Sequence, residues 1–230
     1  MIIPKATGTG HAMGESRSIN LATHIDGISK LVYVPIPKNA SCWVKHHFGA
    51  ADLCNYYTNE INNNEHLSLV VLRDPIERWV SGLAQHLAGW SPEHPLNIDS
   101  LNWETAIDQV VFDEHTQHQH EFIANLLHDN IVWFKCDNNL PINFIDFMKK
   151  YNINIKLLNE EEDTTNIFNI TKKVQARTNL IDKYEAPPQQ TLVDKIISKL
   201  NENPKYIDRI RKFYQDDYKL YNTVPYYAAR

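Results

Sequence analysis

Two apolar segments that each lead directly into a helix start constrain the fold of this chain more than any other feature. Residues 31–36 and 67–72 are predominantly apolar, which is typical of strands buried on both faces of a sheet. A helical pattern follows each of them, from about Ser41 and from Pro75. Strands that alternate with helices favour a parallel sheet, so we expect both helix starts at the carboxyl edge of one sheet.

The rest of the chain continues this alternation. Residues 131–135 and 153–158 predict two further strands, and residues 142–151 predict a helix between them. The predicted fold is therefore α/β, with helices on both faces of a central parallel sheet in a three-layer α/β/α arrangement.

Length and composition fit one globular domain. The chain has 230 residues, of which 43% are hydrophobic and 22% are charged, both ordinary values for a globular protein. We predict a single domain over residues 1–230, with residues 1–20 loosely ordered and the C-terminal helices of residues 191–230 packed on it. The helical pattern of that last part is interrupted near Pro204.

Charge and cysteine content limit the partners and the compartment. The formal net charge of -5 gives the chain no overall attraction to nucleic acid, so any anion site must be local. We find no membrane span and no signal peptide in the sequence. The cysteines, Cys42, Cys54 and Cys136, are few, odd in number and far apart, which predicts reduced thiols and a cytoplasmic location. The sequence leaves the oligomeric state open.

The first helix start, which we call the first corner (residues 37–43), has the composition of an anion-binding loop. Lys38 supplies a positive charge, the Ser41 hydroxyl supplies a donor, and unpaired N–H groups point outward where a helix begins. Trp43 offers a flat face for an aromatic base. The glycine and lysine spacing of a Walker A loop is absent. An ordinary strand-to-helix turn with a surface lysine explains the same residues equally well.

The second helix start, the second corner (residues 73–81), is partly explained by helix capping. Asp74 is a favourable N-cap, Pro75 suits the first helical position, and Glu77 completes a capping box. Ser81 lies two helical turns after Asp74, so it returns to nearly the same face and can converge with Arg73 on one anion. The alternative is that Arg73 pairs with a carboxylate and Ser81 packs against a neighbouring helix.

Together the two corners resemble the donor-binding motifs of sulfotransferases. The first corner resembles the 5′-phosphosulfate loop, commonly Pro-Lys-x-Gly-Thr-Thr-Trp, with Ala40 in place of the usual glycine and Cys42 in place of a hydroxyl residue. The second corner resembles the 3′-phosphate motif Arg-Asp-Pro-x-x-Arg-x-x-Ser. The similarity is closest to the carbohydrate sulfotransferases of the membrane-bound class, here without a membrane anchor. Residues 213–221 also resemble the closing helix of that class.

The resemblance implies a fold, a donor and a set of donor contacts. The fold is the P-loop-NTPase-like sulfotransferase fold, the donor is 3′-phosphoadenosine 5′-phosphosulfate (PAPS), the product is adenosine 3′,5′-bisphosphate (PAP), and no metal is required. Lys38 would contact the bridging oxygen and the leaving 5′-phosphate, while Arg73 and Ser81 would hold the 3′-phosphate. The remaining contacts to the 5′-phosphate would come from the rest of the first corner, namely Asn39, Ala40, Ser41, Cys42 and Trp43.

A histidine is the expected general base for the acceptor, a hydroxyl group that the resemblance assigns to a carbohydrate. His115 is the first candidate, because residues 113–119 resemble an Asp-x-His segment of the same family, and His66 is the second, because it precedes the second predicted strand. His115, His118 and His120 also suggest a zinc site. Only His115 and His118 share a helical face, and no cysteine pair accompanies the three histidines. We therefore predict no metal.

Two other functions stay open at this point. One is a nucleotide-dependent kinase of related fold, since residues 69–72 followed by Asp74 loosely resemble a Walker B strand. Arg73 intervenes, however, and capping already accounts for Asp74. The other is a non-catalytic module that binds an adenine nucleotide or a sulfated glycan, which would keep Arg73 and Ser81 but need no base.

Overall fold

The computed structural model describes residues 17–25, 28–41, 43–44, 56–57, 66–89, 98–124, 126, 130–153 and 189–229. The strands are β1 (Arg17–Ile25), β2 (Ile28–Val34), β3 (Tyr56–Tyr57), β4 (His66–Leu72) and β5 (Ile131–Lys135). The helices are α1 (Pro75–Gly89), α2 (Trp103–Gln109), α3 (Leu140–Lys150), α4 (Gln189–Glu202), α5 (Pro204–Phe213) and α6 (Gln215–Thr223). Short 3₁₀ turns cover Ile98–Ser100 and His120–Phe122.

The strands form one mixed sheet in the order β3-β1-β2-β4-β5. β2, β4 and β5 run parallel, with Leu31 opposite Leu67 and Leu69 opposite Val132, which confirms the predicted α/β fold. β1 and β3 add two antiparallel strands at one edge, which the sequence analysis did not predict. β1 includes residues 17–20, the last part of the segment for which we expect loose order.

Helical elements cover both faces of the parallel strands, because successive side chains of a strand point to opposite faces and both sets are apolar. On β4, Leu69 packs in one cluster with Trp43 and α3. Its neighbour Val70 packs in a second cluster with Phe122 and α6. The parallel strands thus form the middle layer of a three-layer arrangement.

A third apolar cluster joins α1 to the C-terminal helices. Leu83 and Leu87 of α1 pack with Ile196 of α4 and Ile210 of α5. Pro204 begins α5 directly after α4, which confirms the predicted interruption of the helical pattern. α1 is therefore fixed along its length, and this holds the second corner at its amino end in place.

Some predictions concern residues that the structure does not describe. Of the strand predicted over residues 153–158, only Ile153 lies within the described ranges. Cys42 and Cys54 also lie outside these ranges. Within the described ranges, no helix is both long and apolar enough to cross a membrane.

The segment of residues 113–120 crosses α1 in close contact, and Gly82 makes the contact possible. A Cβ atom on Gly82 would lie 2.5 Å from the carbonyl oxygen of His115 and 2.9 Å from Cγ2 of Thr116. The first of these atoms belongs to the backbone, which cannot move aside as the end of a flexible side chain can. Gly82 is thus required by a close approach of two backbones.

We predict that Gly82→Ala destabilises the protein. The added methyl group forces the 113–120 segment away from α1, so we expect the free energy of unfolding to fall by about 1–3 kcal/mol. Urea unfolding measures this change. The control Gln85→Ala lies on the same helix and should change stability by no more than about 0.5 kcal/mol. Equal stability of Gly82→Ala and the wild type would contradict the close packing of the segment.

Candidate active site

The first corner begins directly after β2 and has an unusual backbone. Lys38 has φ 69° and Ala40 has φ 58°, both in the left-handed region that non-glycine residues rarely adopt. Val44 donates its N–H to the Ala40 carbonyl at 3.0 Å, so a helical turn follows at once. Turns with left-handed residues expose neighbouring N–H groups that form anion-binding concavities. Strained backbone of this kind costs on the order of 1–3 kcal/mol per residue and is concentrated at functional sites.

Asn39 lies between these two residues and shapes the loop from within. Its backbone N–H donates to the Ile36 carbonyl at 3.2 Å. Its side-chain Nδ2 donates to the Val71 carbonyl at 2.8 Å and to Gln119 Oε1 at 2.6 Å. All three N–H groups of Asn39 are therefore used within the protein. We reassign Asn39 from donor contact to the framework of the loop.

Trp43 does not offer a face for a base, contrary to the sequence analysis. Its side chain is fully buried, and its ring packs edge-to-face on Phe144 of α3 with centroids 5.3 Å apart. The indole points into the sheet core because Trp43 lies about one helical turn beyond the end of the loop. Cys42, the other predicted contact of this part of the loop, lies outside the described residues.

The second corner begins directly after β4, and its capping is as predicted for Asp74. Asp74 Oδ1 accepts the N–H groups of Ile76 at 2.9 Å and of Glu77 at 3.1 Å. The Glu77 carboxylate lies 3.4 Å from Arg73 Nε, so it takes part in a partly exposed ion pair, and such pairs contribute little to stability. Ser81 lies on α1, partly exposed, two turns after the N-cap.

The two corners are in direct contact. Arg73 Nη1 donates to the Lys38 carbonyl at 3.3 Å. With the contact to Glu77, the described interactions of the Arg73 side chain use two of its five N–H groups. The structure thus brings the Arg73 guanidinium against the backbone of the first corner.

Arg78 is the buried arginine of the second corner and contacts the first corner, although its sequence context did not single it out. Its side chain is 1% exposed, and Nε donates to the Pro37 carbonyl at 2.9 Å. Nη2 donates to the Glu114 carbonyl at 3.0 Å, and Nη1 donates to the Gln117 carbonyl. Burial lowers the pKa of Arg78 to about 10, so the guanidinium is still charged at neutral pH. Two features of the sequence could have pointed to Arg78. It is the second arginine of the segment that resembles the 3′-phosphate motif, and it lies among apolar residues of α1.

The 113–120 segment supplies an Asp–His pair packed against α1. His115 Nδ1 lies 3.2 Å from Asp113 Oδ1, and His86 Nδ1 of α1 lies 2.9 Å from Asp113 Oδ2. Burial by itself would raise the pKa of Asp113, but hydrogen bonding with His115 and His86 outweighs burial and holds this pKa well below its usual range. Asp113 Oδ1 also accepts the backbone N–H of His115 at 2.8 Å, so this carboxylate fixes the part of the segment that carries His115.

His66 lies far from the two corners, so its predicted role is corrected. It is the first residue of β4, whereas Arg73 follows the last residue of that strand. Seven residues of extended strand separate them, which corresponds to about 23 Å. His66 is close to the motif in sequence, but the two ends of a strand lie at opposite edges of the sheet. His66 therefore lies at the edge away from the corners.

The structure groups His118 and His120 with Asp217 of α6 rather than with His115. Possible ligand atoms of these three residues lie within 4.8 Å of one another. Asp217 Oδ1 already accepts the His120 N–H at 3.0 Å and lies 2.7 Å from His120 Nδ1, while Oδ2 accepts the Gln119 N–H at 2.8 Å. The carboxylate is therefore engaged in holding the turn. Burial lowers the pKa of His118, whose ring stacks on Phe213.

These observations define an α/β protein in which two strand-to-helix corners adjoin at the carboxyl edge of parallel strands. The family model described as Sulfotransferase family matches residues 23–227. The chain therefore belongs to the sulfotransferase family, whose enzymes take the sulfuryl group from PAPS. No curated protein and no solved structure matches the chain.

We predict that Asp113 stabilises the protein in a pH-dependent way. Because its pKa is lowered on folding, its contribution is complete above the unfolded-state value of about 3.9 and is lost as the pH falls towards the folded-state value. Asp113→Asn should lower the free energy of unfolding by about 2 kcal/mol at pH 7. The difference from the wild type should shrink as the pH falls below about 4.

Urea unfolding of both proteins between pH 7 and pH 3 measures this difference. The control Asp208→Asn changes an aspartate on α5 whose side chain is 75% exposed, and it should have little effect at any pH. A difference between Asp113→Asn and the wild type that stays constant over the whole range would contradict the lowered pKa.

Proposed function

We propose that this chain transfers the sulfuryl group of PAPS to a hydroxyl group of a carbohydrate. The observation that carries the proposal is the contact between Arg73 and the Lys38 carbonyl, which joins two anion-binding corners on neighbouring parallel strands. A donor with a phosphate at each end of one nucleoside fits two such corners. Family membership supports the donor, and the resemblance to carbohydrate sulfotransferases supports the acceptor.

The donor contacts follow from the two corners. The left-handed backbone at Lys38 and Ala40, together with the helix that starts at Ser41, supports binding of the 5′-phosphosulfate. Arg73 and Ser81 are assigned to the 3′-phosphate, which distinguishes this donor from ATP. A guanidinium binds a phosphate through two parallel hydrogen bonds, which an ammonium group cannot match.

The reaction is an in-line displacement at sulfur. The acceptor oxygen forms a bond to sulfur while the bond from sulfur to the 5′-phosphate oxygen breaks, and PAP leaves with the electron pair. Lys38 is assigned to stabilise the negative charge that develops on the leaving phosphate. His115 is assigned to take the proton of the acceptor hydroxyl, and the Asp113 carboxylate, 3.2 Å from His115 Nδ1, is assigned to stabilise the imidazolium that forms.

The contacts of Asp74 argue against the kinase alternative. A Walker B aspartate has to keep its carboxylate for Mg²⁺, whereas Asp74 Oδ1 accepts two N–H groups at the start of α1. Tyr218 donates its hydroxyl to the same oxygen at 3.3 Å. The cytoplasmic location predicted from the cysteines stays a prediction.

We predict that PAP stabilises the protein against heat more than Mg-ATP does, and that Arg73→Ala removes most of this effect. A ligand at 100 times its Kd adds about 2.7 kcal/mol to stability, a shift that is easily measured. Loss of charged hydrogen bonds to the 3′-phosphate should raise the Kd of PAP by about tenfold to a hundredfold.

The control for Arg73→Ala is Arg211→Ala, since the Arg211 side chain is 61% exposed on α5. It should keep the full thermal shift with PAP. A wild-type protein that responds to Mg-ATP but not to PAP would overturn the proposed function.

We predict that Lys38→Met abolishes transfer but spares binding. Methionine has an unbranched side chain similar to the stem of lysine, and like lysine it has a Cβ atom at this position of φ 69°. The change therefore removes mainly the charge. Transfer should slow by about a hundredfold or more, because the charge acts on the leaving group in the transition state. The Kd of PAP should rise by less than about tenfold.

The rate is measured as PAP release over a panel of carbohydrate, phenolic and aliphatic hydroxyl compounds. An unchanged rate in Lys38→Met would refute the role of Lys38 at the leaving group. Faster turnover of phenols than of carbohydrates by the wild type would refute the proposed acceptor class and leave the donor assignment intact.

A further inference from the structure

We propose that Gln119 is a positioning residue that sets the spacing of the two phosphate-binding corners, so that both ends of one donor bind at once. This inference rests on the proposed function. Gln119 touches neither the reacting atoms nor the donor in this account. It acts through Asn39 in the first corner and through the backbone of Arg73 in the second.

The Gln119 side chain pairs with Arg73 as a neighbouring strand would. Its Oε1 accepts the Arg73 N–H at 3.0 Å, and its Nε2 donates to the Arg73 carbonyl at 2.9 Å. Arg73 is the first residue after β4, so the primary amide continues the ladder by one residue beyond the end of the strand. The backbone from which the Arg73 guanidinium departs is thereby fixed in position.

The same side chain also holds the first corner. Gln119 Oε1 accepts a second hydrogen bond, from Asn39 Nδ2 at 2.6 Å. Asn39 lies between the left-handed residues Lys38 and Ala40, so holding its side chain holds the loop whose N–H groups face the 5′-phosphate in the proposed function. One carboxamide therefore joins both corners through three hydrogen bonds.

Burial makes this connection stiff. Gln119 is 1% exposed and Asn39 is fully buried, so a broken hydrogen bond between them is not replaced by water without cost. Gln119 is itself fixed from the opposite side, since its backbone N–H donates to the buried carboxylate of Asp217 at 2.8 Å. The connection runs from α6 to both corners.

A ligand with two phosphates gains affinity when its two sites are already held at the right spacing. Binding of the first phosphate then places the second in its site at a high effective concentration. A loose spacing removes this gain but leaves each corner able to bind one phosphate. Loss of Gln119 is therefore expected to weaken bisphosphate binding selectively.

The test compares three ligands by calorimetry: PAP, adenosine 5′-monophosphate and adenosine 3′-monophosphate. In Gln119→Met, which keeps a side chain of similar length, we expect the affinity for PAP to fall about tenfold or more. The affinities for the two monophosphates should change by less than about threefold. Gln117→Met is the matched control, because that buried glutamine bonds Glu121 through its side chain and neither corner.

Gln119→Glu is the second variant, for the case that Gln119→Met does not fold. It keeps the acceptor for Asn39 and for the Arg73 N–H, loses the donor to the Arg73 carbonyl and adds a negative charge. The charge weakens the binding of all three ligands, so the readout is the ratio of the PAP affinity to the monophosphate affinities, which should fall below that of the wild type. If a folded variant loses affinity for all three ligands by the same factor, or keeps the wild-type preference for PAP, this inference is overturned and the proposed function is not. A wild-type protein without any preference for PAP would overturn the proposed function and this inference together.

Discussion

The buried guanidinium of Arg78 connects the elements that meet at the candidate active site. A charge removed from water is stable only when its hydrogen bonds are replaced, and here three backbone carbonyls replace them. One carbonyl belongs to Pro37 in the first corner, and the others belong to Glu114 and Gln117 in the 113–120 segment. Because Arg78 itself belongs to α1, a single side chain fixes a loop, a segment and a helix relative to one another.

Around Arg78, residues that build the site are distinct from residues that face the donor. Asn39 and Gln119 use their amides on protein partners, and Asp113 uses its carboxylate on two histidines. The residues assigned to the donor, Lys38 and Arg73 among them, extend from this framework. The same separation explains why strained backbone at Lys38 persists: the framework on either side of the loop determines its conformation.

Local patterns in the sequence were sufficient for much of the fold, because apolar periodicity and capping depend on near neighbours. They predicted the parallel strands, the N-cap at Asp74 and the break at Pro204. They did not predict β1 and β3 or the burial of Trp43, which depend on tertiary pairing. The role of Gln119 was equally hidden, since its contacts reach across 46 residues to Arg73 and 98 to Asp217.

A crystal structure of the protein with PAP would show whether both corners bind one donor. We expect the 5′-phosphate within hydrogen-bonding distance of Lys38 and of the N–H groups at the start of the helix at Ser41. We expect the 3′-phosphate on Arg73 and Ser81, with His115 facing the open side of the 5′-phosphate. A bisphosphate bound at one corner only, with the other phosphate in solvent, would contradict the account.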